Sequence, residues 1–258
     1  MSQPPLPGPA TPGVLPSAMR IFDLSLGQML WSRRSVFLGL LLGAPVLLAV
    51  ILRIVDTLHS SGFRINGAAV GGASIFGMMI WLLFIRFIVP VLGVFYGTSL
   101  IADEVEDKTI TYLFTRPIPR RAVLLGKYLA YLACTVLLVL PSVMLVFFLI
   151  VPTGGGSIGA AFPSLLADLG MLVVGLAAYG AVFLLAGVTF KRPLVGGLVF
   201  VFGWEPLALV LPGYLRHLTI AYYLQPASSS VAALVLTAAG AVFLAMRTIE
   251  GREYVLEQ

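Results

Sequence analysis

The chain has 258 residues, of which 59% are hydrophobic and only 10% are charged. A soluble domain carries roughly a quarter of charged residues, so this composition excludes an ordinary soluble domain and makes lipid the natural solvent. The net charge of +5 does not signal nucleic acid, because the basic residues sit in short loops beside apolar runs, where they set topology and meet anionic headgroups.

Residues 1–16, MSQPPLPGPATPGVLP, are rich in Pro and Gly and have no apolar period; they are expected to form a disordered cytoplasmic tail. They lack the early basic region and short apolar core of a cleavable signal. From residue 17 to 34 the pattern turns amphipathic. Arg20, Asp23, Gly27 and Arg34 share one helical face, and Phe22, Leu26, Met29 and Leu30 another. With Trp31 near its end, this stretch predicts a helix lying in the headgroup plane.

Six apolar runs follow, each near or above the ~20 residues that cross a hydrocarbon core. The first span is expected at 35–54, with Pro45 inside it, and is followed by a polar loop holding Arg53, Asp56, His59 and Arg64. The second, 71–102, is long for one crossing, which a tilted helix projecting beyond the bilayer accommodates; it contains Arg86. The third is expected at 123–151, ending in the turn Pro152-Thr153-Gly154-Gly155-Gly156, and the fourth at 165–190, before Lys191-Arg192-Pro193. The fifth, 194–211, holds Glu205 beside Pro206, and Pro212-Gly213 breaks it. Residues 214–224 form a short amphipathic piece with Leu215, Leu218 and Tyr222 on one side, too short to span. The sixth span is expected at 229–246. Cys134 is the single cysteine and lies in an apolar run, which excludes an internal disulfide framework and a Cys-based metal cluster.

Six crossings put both termini on one side. Arg20, Arg33, Arg34, Lys108, Arg116, Arg120, Arg121, Lys127, Lys191, Arg192, Arg247 and Arg252 fall on that side, against Arg53, Arg64 and Arg216 on the other. The positive-inside rule makes the crowded side cytoplasmic, so the expected location is the inner (plasma) membrane.

Between the second and third spans lies the one charge-dense stretch. Asp103, Glu104, Glu106 and Asp107 lead into Ile110, Leu113 and Phe114, whose spacing gives one apolar stripe on a helix of about two turns. Acidic residues at its start and Arg116 at its end suit the helix dipole. Pro117 stops the helix at Arg116, and Pro119 can open the next one. Read alone, this is either an ordinary cytoplasmic loop helix or a handle for a soluble partner.

The run K-T-I-x-Y-L-F-T-R-P-I-P-R followed by V-L-L-G-K-Y-L-A resembles the permease subunits of ABC-2-type ABC transporters, especially the NosY/GldF-like kind. The matching positions are Glu104, Lys108, Thr109, Leu113, Arg116, Pro117, Ile118, Arg120, Leu125, Gly126 and Lys127. The amphipathic N-terminal helix, the six spans and the broken segment between spans five and six are similar to that family as well. The resemblance implies an all-α transmembrane domain over 17–258 and a coupling helix at about 103–117 that docks on a cytoplasmic ABC ATPase. Its contact residues would be Glu104, Glu106, Asp107, Lys108, Thr109, Ile110, Tyr112, Leu113, Phe114, Arg116 and Pro117. It further implies a second permease copy, a homodimer in lipid, with export the expected direction.

The chain itself is expected to bind no cofactor. Gly126-Lys127 is followed by Tyr128, and no glycine stands five residues before Gly126, so this is no phosphate-binding loop; ATP and Mg belong to the partner ATPase. Other readings remain. The acidic group could hold Mg²⁺ in a membrane-embedded transferase, but the remaining acids are scattered singly. An intramembrane protease finds no Glu pair to match His59 and His217. A secondary transporter would use Arg86 and Glu205, since ionisable residues inside spans mark pathways; alternatively the two pair structurally, directly or through water, and hold spans two and five together.

Overall fold

The structure, a computed structural model, describes residues 14–31, 33–58, 64–65, 68–101, 119–211, 214–225 and 230–251. Lipid offers no partner for a free backbone N–H or C=O, so apolar runs of this length must satisfy themselves as helices. Six helices are long and apolar enough to cross a membrane: Val36–Leu58, Gly72–Ile101, Arg120–Ile150, Ile158–Thr189, Pro193–Val210 and Val231–Ile249. These are spans one to six below, and the protein is an all-α polytopic membrane protein. Between spans one and two, Arg64–Ile65 pairs antiparallel with Ala68–Ala69, two residues each.

Several helices run past their expected ends. The first continues to Leu58, and Arg53 and Asp56, expected in a loop, form an i,i+3 ion pair of 3.8 Å on its last turns. The fourth begins at Ile158, with Pro163 inside it; Pro45 and Pro141 likewise sit inside helices, as neighbouring helices in a membrane allow. The sixth continues to Gly251. Spans two, three and four have 30, 31 and 32 residues, or about 45–48 Å at 1.5 Å per residue, against a hydrocarbon core of about 30 Å. The fifth and sixth, with 18 and 19 residues, measure only about 27–28 Å.

Prolines also shape the spans locally. Ile80–Ile88 and Gly93–Gly97 in span two and Phe200–Trp204 in span five are π-helical. The first and third of these end two residues before a proline, Pro90 and Pro206. A proline supplies no N–H to the carbonyl four residues back and clashes with it, so the backbone widens by one residue there. Accordingly, the N–H of Val89 bonds to the Phe84 carbonyl and that of Glu205 to the Phe200 carbonyl, each five residues back.

The core lies among spans two, three and four. Tyr96, Tyr131, Tyr179, Phe84, Phe147 and Phe183 are fully buried in it. Small residues let these helices approach, as is usual where lipid gives no hydrophobic drive. A Cβ at Gly180 would fall on the Tyr131 ring, and one at Gly93 would lie 2.7 Å from Tyr179 Cβ. Two tyrosines of span three find backbone acceptors across helices: Tyr131 OH donates to the Leu176 carbonyl (3.1 Å) and Tyr128 OH to that of Ala177 (2.9 Å).

The N-terminal helix, Val14–Leu30, packs along the start of span three. Small residues beside the expected apolar face make the closest contact: Ser17, Ala18 and Ser25 are buried, Met29 of that face packs against the core, and a Cβ on Gly126 would lie 2.6 Å from the Ala18 carbonyl oxygen. Leu15, Met19 and Leu24 are exposed.

Candidate functional site

The segment expected to couple to an ATPase, with Glu104, Glu106, Asp107, Lys108, Thr109, Ile110, Tyr112, Leu113, Phe114, Arg116 and Pro117, lies outside the described residues. Its two ends are described, and they are firmly held. Leu100 and Ile101 are buried, and the ammonium of Lys127 donates to the Leu100 carbonyl at 2.9 Å, joining spans two and three where the segment leaves and returns. Arg120 Nη1 donates to the Ile249 carbonyl at 3.2 Å, fixing the start of span three to the end of span six. The two hydrogen bonds tie spans two, three and six together beside the segment.

The second candidate is the pair of intramembrane charges. Arg86 lies in the long π-helical stretch of span two and Glu205 directly after that of span five. A charge at the centre of a membrane helix costs about 2.5–3.5 kcal/mol on insertion scales, so each needs a partner or a polar space. The structure brings them to one cavity of about 250 Å³, lined by Leu82, Arg86 and Phe87 from span two, by Val201, Phe202, Glu205, Pro206 and Leu209 from span five, and by Ala221. Among the described residues they form no direct ion pair.

Glu205 is buried, and Arg86 acts on it electrostatically across the cavity. Tyr179 OH of span four donates to its Oε2 at 2.6 Å, a short charge-assisted contact, and the backbone N–H of Ala221 donates to Oε1 at 3.4 Å. Ala221 belongs to the broken segment between spans five and six, a 3₁₀ turn Tyr214–Leu218 followed by the short helix Ile220–Tyr223. That segment folds back against the bundle: Thr219, Ile220 and Leu224 are buried, while Leu215 and Leu218 are exposed. Glu205 thus ties together span four, span five and the returning segment.

Arg86 is exposed, and its guanidinium lies 5.4 Å from the centre of the Trp81 ring, a cation–π arrangement. The two are five residues apart. On an α-helix that spacing turns the side chains about 140° apart, whereas the i→i+5 bonding of a π-helix winds them onto one face. The same winding places Leu82 and Phe87 together on the cavity wall, where Phe87 meets Phe202 at 6.3 Å. Sequence reasoning missed Tyr179, Trp81 and Ala221. Pro90 and Pro206 were the available signal, since each marks a place where α-helical spacing fails.

A family model described as "ABC-2 family transporter protein" matches residues 19–229. No curated protein and no solved structure matches the chain. The matched region includes most of the N-terminal helix, the first five spans and the returning segment that caps Glu205. The chain belongs to the ABC-2 family of transporter proteins and is a membrane permease of an ABC transporter.

Proposed function

We propose that this permease exports its substrate, as a homodimer of the NosY/GldF-like kind, on ATP hydrolysed by a separate cytoplasmic ABC ATPase. ATP and Mg are held by that partner. Both termini and residues 103–117 face the cytoplasm of the plasma (inner) membrane, and the transmembrane domain spans 17–258. The observation that carries the reading is the anchoring on either side of 103–117: Lys127 on the Leu100 carbonyl and Arg120 on the Ile249 carbonyl. Closure of the ATPase pair moves the docked segment. These bonds pass the movement to spans two, three and six, and the spans exchange inward- and outward-facing arrangements.

The test is assembly. Leu113→Asp or Phe114→Asp puts a charge on the apolar stripe of the segment, and an unpaired charge buried in an interface is strongly destabilising. Either variant should reach the membrane normally and lose its ATPase subunit in a pull-down from detergent. Full retention by both would remove the segment from the interface.

A further inference from the structure

We propose that the returning segment between spans five and six is a binding surface for an acidic phospholipid of the outer leaflet. Arg216 and His217 take the headgroup phosphate, and Tyr214, Leu215 and Leu218 lie among the uppermost acyl carbons. Depth is the first observation. Span five has 18 residues, about 27 Å, and starts at Pro193 directly after the exposed Lys191 and Arg192, which a membrane keeps at the inner headgroups. On span six Arg247 marks the same inner boundary, and about 24 Å of helix separates it from Val231. Against a hydrocarbon core of about 30 Å, neither span lifts the segment that joins them into water. It stays at the outer acyl boundary.

The second observation is the surface it presents there. Tyr214, Leu215, Arg216, His217 and Leu218 are all exposed, and so are Leu207 and Val210 at the end of span five, so apolar surface continues from the span onto the segment. Arg216 is the only Lys, Arg, Asp or Glu between Glu205 and Arg247, and it forms no ion pair among the described residues. Glu205 itself is buried and held by Tyr179 and Ala221, and the cation that acts on it is Arg86.

The third is that the donors are held ready. The hydroxyl of buried Thr219 donates to the Arg216 carbonyl at 2.8 Å, and the Arg216 guanidinium lies 5.4 Å from the centre of the Tyr222 ring. The His217 imidazole meets that same ring edge to face at 4.6 Å, with the rings of Tyr214 and Tyr223 at 6.2 and 6.3 Å. Two N–H donors seated on one ring suit one phosphate, whose oxygens a planar guanidinium takes two at a time. Tyrosine rings, apolar in body and polar at the tip, favour this boundary. That the leaflet is the outer one rests on the topology proposed above; the depth and charge of the segment do not.

Trp31→Phe, Trp81→Phe and Trp204→Phe together remove every tryptophan, and Tyr214→Trp then puts one reporter on the segment. The full chain is reconstituted without any ATPase in phosphatidylcholine vesicles. The quenchers are phosphatidylcholine or phosphatidylglycerol brominated near the headgroup or deep in the chain, and acrylamide from the water. Shallow bromine should quench more than deep bromine, and acrylamide should quench little. At equal mole fraction phosphatidylglycerol should be preferred about fivefold, the ratio that one cation at an acidic surface supports. Arg216→Gln should remove the preference and keep the depth, and Arg216→Lys should keep most of both. If the tryptophan-free chain does not accumulate, a fluorophore on Leu218→Cys in a Cys134→Ala background, quenched by nitroxide-labelled lipids, carries the same measurement.

Quenching by acrylamide alone places the segment in water, and shielding from lipid and acrylamide alike places it against a second copy; either overturns the proposal. So does quenching that is strongest from deep bromine, a wild-type segment with no preference for phosphatidylglycerol, or a preference that survives Arg216→Gln. Because no ATPase is present, failure here leaves the coupling reading standing, and failed ATPase docking leaves this binding untouched.

Discussion

Tyr179→Phe isolates the bond that secures Glu205. The substitution deletes one oxygen and keeps the ring, so it opens no sizeable cavity and preserves the stack on Phe183, whose centroid is 6.1 Å away. What disappears is a 2.6 Å hydrogen bond between two buried side chains on different spans. Interhelical hydrogen bonds in membranes average about 0.6 kcal/mol in double-mutant cycles and reach about 1.7. Hydrogen bonds to charged groups are worth about 1.5–3 kcal/mol elsewhere. The short distance and the carboxylate acceptor place this bond at the upper end of the membrane range, about 1.5 kcal/mol. The assay is reversible unfolding of the purified chain in mixed micelles, for the wild type, Tyr179→Phe, Glu205→Gln and the double variant. Each single change should destabilise the fold, and the double change should cost less than their sum by about that amount. The returning segment should loosen in parallel, read as faster labelling of a cysteine placed at Ala221 in a Cys134→Ala background. Strictly additive losses would refute the claim that Tyr179 and Glu205 act together.

Packing and topology give further expectations. Gly180→Leu should sharply reduce folded protein in membranes, because its side chain must occupy the place of the Tyr131 ring and overpacking costs about 1–3 kcal/mol or more. Gly170→Ala, on the same helix with open space around it, should be silent by the same measurement. Arg120→Gln should speed hydrogen exchange at the end of span six, where the Ile249 carbonyl loses its donor, and leave exchange in the core of span four unchanged. Cysteines introduced at Ser60, Ser157 and Ser228 should be labelled by an impermeant reagent from outside, and those at Thr109, Lys191 and Glu253 should not. One reversal among the short loops would mean a miscounted span.

The membrane fold was legible because hydropathy and the demand for internal backbone bonding leave only one structure open to such runs. Helix ends were less so. Arg53 and Asp56 look like loop residues until their i,i+3 pairing is seen, and Pro163 looks like a boundary although the helix begins at Ile158. At the cavity, Arg86 and Glu205 announced themselves as charges in apolar sequence. Their neighbours did not, because the reading assumed 3.6 residues per turn where Pro90 and Pro206 impose a wider one. At 3.6 residues per turn Trp81 would face about 140° away from Arg86. Tyr179 was hidden for another reason: a tyrosine in an apolar span is unremarkable until the tertiary fold sets Glu205 against it. The returning segment read as amphipathic, but the residues that meet the bundle, Thr219, Ile220 and Leu224, could not be singled out from its pattern.

The central claim is that this chain is the membrane half of a transporter whose energy enters through residues 103–117. ATP hydrolysis in proteoliposomes tests it most directly, with the chain alone, the cognate ATPase alone, the two together, and the ATPase with Phe114→Asp. The account predicts no hydrolysis above empty vesicles for the chain alone. Hydrolysis by the ATPase should be altered by the wild-type chain and return to the ATPase-alone rate with Phe114→Asp. Hydrolysis by the chain without a partner, or an ATPase whose rate is the same with and without the wild-type chain, would contradict it.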